Sequence, residues 1–352
     1  MRLMQQKTIV DWDENRIGRF NLVKGIYLVG SILVHSWLGF VNVSMQDPAH
    51  SKFITLLDCF MRMADMGSYT LMMLCGYDFR KRSILSTFRN QIRKLRRPYL
   101  LTTLAITIGV TVLCFLSGAP IWAELRRKAL PFLMAKVEWN DSVGFPMNNV
   151  GPMWFIVVYV MGSVLLNAVL KLKNEGVQSV AVVALYLCGT CGVPSRYLRF
   201  VPFGLQRSLN YLPFLYCGYL MKKHRFFDSR SPVWLAWLTV LICLLCIYED
   251  RKDMPACLLC GMTMFVLLLR VSRLRTFAGL EWMGRNITTF CCFNTFTYVV
   301  LPWSTLDAYF AQKPWLSGLI AFVAYSTICI GGCIVVNRIK YASRRKNQMR
   351  VM

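Results

Sequence analysis

Two groups able to do chemistry share one apolar stretch near the start of the chain, Lys24 and His35. An imidazole accepts and returns a proton near neutral pH, so a histidine there is a candidate general base. The competing reading is a helix-packing histidine bonded to a neighbouring carbonyl. Spacing leaves both open, and the cost of an ionisable group inside a membrane weighs toward function. The two residues stand eleven positions apart. On a helix that is about three turns, which puts them on one face roughly 16 Å apart. Lys24 then falls near the headgroups, where it can snorkel or meet a phosphate.

A second apolar run carries Asp58, Arg62 and Asp65. Spacings of four and three put them on one helix face, where Arg62 can pair with either acid. The plainer reading is a self-neutralising cluster that lets the segment insert. The alternative is a polar wall beside the cavity of His35, with Asp58 or Asp65 orienting the imidazole. A third group is the basic stretch from Arg80 to Arg97, expected as an inner loop, with Arg93, Lys94, Arg96 and Arg97 at the mouth of the next apolar run. Guanidinium groups bind phosphate in a bidentate way, so a phosphorylated ligand suits it, but so do anionic lipid headgroups or simple membrane orientation.

The elements that must position these groups are membrane helices. Of the 352 residues 56% are hydrophobic, and apolar stretches of spanning length recur from Phe20 to Val336. The expected spans are about 20–41, 53–77, 98–118, 152–170, 177–193, 203–221, 232–248, 255–270, 286–303 and 314–337. Each approaches the ~20 residues that cross a hydrocarbon core. The predicted fold is an all-α polytopic bundle of about ten transmembrane helices. It forms a single domain over residues 1–352, with short tails at about 1–19 and 338–352. No cleavable leader is expected, because the first apolar run carries Lys24 and His35 rather than a small-residue cleavage site.

A net charge of +24 would suit a nucleic-acid binder if it lay on one soluble face, but the bases sit in clusters between apolar runs. Alternate segments hold most of them, and the positive-inside rule places both termini in the cytoplasm. No nucleic-acid partner is expected; the lipid bilayer is. Most of the fourteen cysteines lie inside apolar runs, as small hydrophobes rather than a disulfide framework. Cys257 and Cys260 have CxxC spacing without a second pair, so no metal is expected. Two longer outer segments, 118–152 and 192–203, are lids, acceptor sites or simple caps. Within the first, Arg126, Arg127 and Lys128 suggest a helix lying in the interface.

Taken in order, these residues resemble the acyltransferase-3 family of membrane O-acyltransferases, which modify bacterial cell-surface and other carbohydrates. NLVKGIYLVGSILVH is similar to the family's basic residue, ten-residue gap and histidine, here Lys24 and His35. LMMLCGYDFRKR resembles an apolar run ending in a Gly-aromatic pair, Gly76 and Tyr77. RKLR supplies an Arg-x-x-Arg element, Arg93 and Arg96, and GPMWFIVVY resembles a Gly-Pro-Leu-Trp-Phe opening of a middle span, with Trp154 as its aromatic. YLPFLYCGYLMKKH and GRNITTFCCFN are weaker matches, and Asn294 stands where many relatives carry histidine, so it receives no catalytic role.

The resemblance covers about Asp11 to Val336. It implies an O-acyltransferase using a cytoplasmic acyl-CoA, by family default acetyl-CoA, and a carbohydrate acceptor of the cell envelope. The implied location is the bacterial inner membrane. It also implies His35 as general base or transient acyl carrier, to which the polar-wall reading adds Asp58 and Asp65 as catalytic neighbours. Lys24, Arg93, Arg96 and Tyr77 would hold the donor, and Trp154 and Arg62 the acceptor. No metal is implied. The competing class is a transporter or flippase of a phosphate-bearing or lipid-linked sugar, with His35 as a proton relay; it predicts internal repeats, and none is found.

Overall fold

A backbone without water must satisfy its polar groups internally, and long apolar runs do so as helices. A computed structural model describes residues 20–37, 67–137, 150–190, 204–224, 277–301 and 313–349, with the isolated positions Cys257, Leu258, Gly261, Met262, Val266 and Tyr309. Every regular element among these residues is helical. Asp58, Arg62, Asp65, the span at 232–248 and most of that at 255–270 lie outside the described residues.

Helix α1 covers residues 20–37 and α2 residues 67–77. They are followed by α3 (Ile84–Ser117), α4 (Ile121–Lys128) and α5 (Leu130–Leu133). A 3-10 turn at Gly151–Met153 leads into α6 (Trp154–Val169), and then α7 (Glu175–Thr190) and α8 (Leu205–Lys223) follow. The last described helices are α9 (Ala278–Arg285), α10 (Ile287–Val300) and α11 (Pro314–Met349). The stretches Ile84–Ser117, Gly151–Val169 and Trp315–Ser343 are long and apolar enough to cross a membrane, and α7 and α10 are shorter apolar helices.

Two boundaries correct the sequence reading. The basic stretch is not a loop up to Arg97: Ser83 caps α3 by accepting from Ser86 N at 3.2 Å, so the helix starts at Ile84 and carries Arg89 to Arg97 as its first turns. The basic tail after Val336 likewise continues α11 to Met349. Lys and Arg are good helix formers, and a charge cluster ends a span without ending the helix.

Helix α3 hides its polar side chains from the apolar surroundings by bonding back along itself. The hydroxyls of Thr102, Thr103, Thr107 and Thr111 donate to carbonyls four residues earlier, at 2.8–3.0 Å. It packs on α6 and α10, α8 packs on α6 and α7, and α11 packs on α10. Helix α4 carries its own ion pairs, Glu124 with Arg127 at 2.9 Å and Lys128 at 3.4 Å, so the expected basic helix forms.

Reciprocal glycines set the closest helix crossings. A Cβ on Gly76 would stand 1.9 Å from Leu215 O, and one on Gly218 would stand 1.9 Å from Met73 O, which locks α2 to α8. Gly25 against Leu280 O (2.0 Å) and Gly284 against Asn21 O (1.8 Å) do the same for α1 and α9. Small residues that let backbones touch are how membrane helices associate where lipid removes the hydrophobic drive.

Candidate active site

These crossings give the bundle two ends. Asn21 meets Gly284 and His35 meets Tyr298, so α1 and α10 run the same way. Pro98 O accepts from Cys292 Sγ at 3.8 Å and Gly109 faces Val300, so α3 runs with them. Lys24 and the bases of α3 therefore share one end. His35 and Tyr298 lie toward the other, which Gly151 also joins by packing on Tyr298.

His35 is partly buried on α1 and is held at one edge of its ring. Ser31 Oγ, one turn earlier, lies 3.3 Å from Nδ1. Asn294, from α10, donates through Nδ2 to Ser31 Oγ at 3.2 Å, and that nitrogen lies 3.3 Å from His35 Nδ1. Tyr298, one turn further on α10, meets the imidazole edge to face with centroids 5.3 Å apart. No hydrogen bond from the described residues reaches Nε2. One ring nitrogen is thus tied to two helices, and the other is engaged by none of the described residues.

At the same end Trp154 opens α6 inside an aromatic cluster. Its ring lies 5.2 Å from Tyr211 and 6.0 Å from Phe155, and Tyr69 stacks on Phe214 at 4.6 Å. Arg207, in the first turn of α8, places its Cζ 4.2 Å above the Trp154 ring. Indole and guanidinium together offer a flat apolar face beside a fan of donors, a chemistry suited to sugar rings and their hydroxyls.

At the opposite end Tyr77 is buried against Phe20, edge to face at 5.3 Å. Asn167 clamps the chain between α2 and α3: its Nδ2 donates to Arg82 O at 2.6 Å, and its Oδ1 accepts from Arg82 N at 3.1 Å. Arg93, Lys94, Arg96 and Arg97 are all exposed on α3. A groove of about 710 Å³ between α3, α10 and α11 is lined by Lys94 and Arg97 with Lys340 and, deeper, Leu101, Phe293 and Phe296. Arg93 and Arg96 do not line that groove; helical periodicity turns them away from it. Cys292, Phe293 and Phe296 also occupy the face of α10 opposite Asn294 and Tyr298, so α10 stands between the groove and His35.

The structure thus joins His35 to residues that the sequence reading passed over. Ser31 had a legible signal, four positions before the histidine on the same face. Asn294 was set aside because it stands where relatives have histidine, and Tyr298 and Arg207 carried no signal. Lys24 lies partly buried on α1, toward the basic end and three turns from His35.

Helices long and apolar enough to cross a membrane, with every regular element among the described residues helical, define an integral membrane protein. The family model described as an acyltransferase domain matches residues 17–338, and the chain belongs to that family, acyltransferase-3. No curated protein and no solved structure is detectably similar to the chain.

Proposed function

We propose that this protein is an O-acyltransferase that moves a short acyl group, by family default acetyl, from cytoplasmic acyl-CoA to a hydroxyl of an exported or cell-surface carbohydrate. The observation that carries the reading is His35, anchored at Nδ1 by Ser31 and Asn294 with Nε2 unengaged, inside a chain of this family. The donor's phosphates sit at the basic end near Lys24, Arg93 and Arg96, where guanidinium groups match phosphate oxygens. Its pantetheine arm reaches up the bundle along the ~16 Å that separate Lys24 from His35. His35 takes the proton of the acceptor hydroxyl, the oxygen bonds to the acyl carbon, and the thiolate leaves and regains a proton from the imidazolium. Trp154 and Arg207 hold the sugar. To Asp58 or Asp65 we assign the orienting of His35, and to Arg62 a contact with the acceptor. The protein resides in the bacterial inner membrane with both termini in the cytoplasm.

The test is transfer of label from acetyl-CoA into a glycan extract by the purified protein and by His35→Ala. Label entering glycan only with the wild type supports the reading. Equal transfer by both removes the histidine from the mechanism. No transfer by either, with the fold intact and other short acyl-CoAs tried, replaces the enzyme with the transporter reading.

A further inference from the structure

The neighbour of His35 that does most to define its chemistry is Asn294. Its side chain is 1% exposed, it comes from a different helix, and it reaches both Ser31 and the imidazole. As placed, Nδ2 faces Ser31 Oγ and His35 Nδ1, while Oδ1 is buried without a hydrogen bond from the described residues. A bond from Nδ2 to Nδ1 needs a lone pair on Nδ1, and in that tautomer the ring proton sits on Nε2 and the base is disarmed. Half a turn about χ2 exchanges oxygen and nitrogen within nearly the same envelope. Oδ1 then accepts from Nδ1–H, the Ser31 hydroxyl donates to Oδ1, and Nε2 keeps its lone pair. Either orientation leaves one buried amide atom without a partner among the described residues, so the position of the imidazole proton, not packing, selects between them.

We propose that Asn294 is a positioning residue for His35: its amide oxygen holds the proton on Nδ1, so that Nε2 stays unprotonated and accepts the proton of the acceptor hydroxyl. The inference rests on the proposed role of His35 as base. When Nε2 takes the hydroxyl proton the ring becomes an imidazolium, and Nδ1–H remains bonded to Oδ1. When Nε2 returns that proton to the leaving thiolate, the starting tautomer is restored with no net change at Asn294. A neutral amide suits this cycle, because a carboxylate in its place would favour the imidazolium. The groups facing the ring among the described residues are Ser31 on its own helix and Asn294 and Tyr298 on α10. The nearest described charge on α1 is Lys24, three turns away.

The experiment follows label from acetyl-CoA into glycan across pH for the wild type, His35→Ala, Asn294→Leu and Asn294→Asp, with thermal melts in detergent to verify folding. Asn294→Leu removes the acceptor for Nδ1–H and is expected to lower kcat at least roughly tenfold, toward the 10²–10⁴-fold of a lost general base. The KM for acetyl-CoA stays unchanged, since the basic residues lie at the other end of the bundle. Asn294→Asp is close to isosteric and is expected to move the acid limb of the rate profile up by about one to three pH units, the usual effect of an adjacent opposite charge. If Asn294→Leu does not fold, Asn294→Asp carries the test alone. Wild-type kcat and an unmoved acid limb in the folded Asn294 variants, with His35→Ala inactive, overturn the positioning role. Full activity of His35→Ala instead overturns the base reading beneath it.

Discussion

At the scale of single residues, the proposed chemistry divides between the two ends of the bundle. Arg207 stacked on Trp154 forms a preset surface close to the Gly151–Tyr298 contact, and through it close to His35. Trp154→Leu is expected to raise the KM for the glycan acceptor about threefold to tenfold, the scale of one aromatic contact, and to leave the KM for acetyl-CoA alone. Steady-state kinetics with each substrate varied in turn checks the split. Lys24→Gln should show the converse, a raised KM for acetyl-CoA with little change for the acceptor. Both residues are read from type and position in a span, and the two stand at opposite ends of the bundle. The partner of the histidine is another matter. Asn294 lies 259 positions from His35 in the chain, and no local pattern could pair them.

Helices meet where glycine allows it, and this is the scale at which the fold is most exposed to substitution. A methyl on Gly76 or Gly218 would press into a backbone carbonyl that cannot swing aside. Gly76→Ala and Gly218→Ala are each expected to destabilise the protein by about 3 kcal/mol, the upper range for overpacking, or to prevent its accumulation in the membrane. Gly279→Ala, where a methyl meets open space, is the control and should melt with the wild type. Thermal unfolding in detergent distinguishes them. In sequence Gly76 is visible as half of a Gly-aromatic pair, but its use is not. The glycine admits α8, and its partner Tyr77 fills the core against Phe20.

For the molecule as a whole, the surface tie between the start of α7 and the end of α8 makes stability respond to pH. Glu175 accepts from Lys223 and lies 2.9 Å from His224 Nε2. The bond from Lys223, followed by that from His224, holds the Glu175 carboxyl below its ordinary range, and the same contact holds the Lys223 ammonium above its own. A depressed carboxyl contributes stability above its unfolded value and loses it as pH falls through the folded one. A raised ammonium contributes below its unfolded value and loses it as pH rises through the folded one. The tie is therefore whole across neutral pH and weakens in acid below the carboxylate range and in alkali above the lysine range. It lies at the surface, so its effect is small. Glu175→Gln should melt slightly below the wild type at pH 7, and the gap should close as both are taken into acid.

From the sequence alone one can read that the chain lives in a membrane, that its elements are helices and that a lysine and a histidine share one helix face. Span length, hydropathy and the 3.6-residue period are local quantities, and they survive folding unchanged. The start of α3 was less legible, because a run of bases reads as a loop, although Ser83 caps a helix there. What only the tertiary structure decides is phase and partnership. Arg93, Lys94, Arg96 and Arg97 fan over almost half the circumference of α3, and packing against α10 selects Lys94 and Arg97 to line the groove with Lys340 of α11. In the same way the imidazole of His35 gains its partner only when α10 docks beside α1, because a hydrogen bond between distant segments is a property of the packed bundle rather than of either helix.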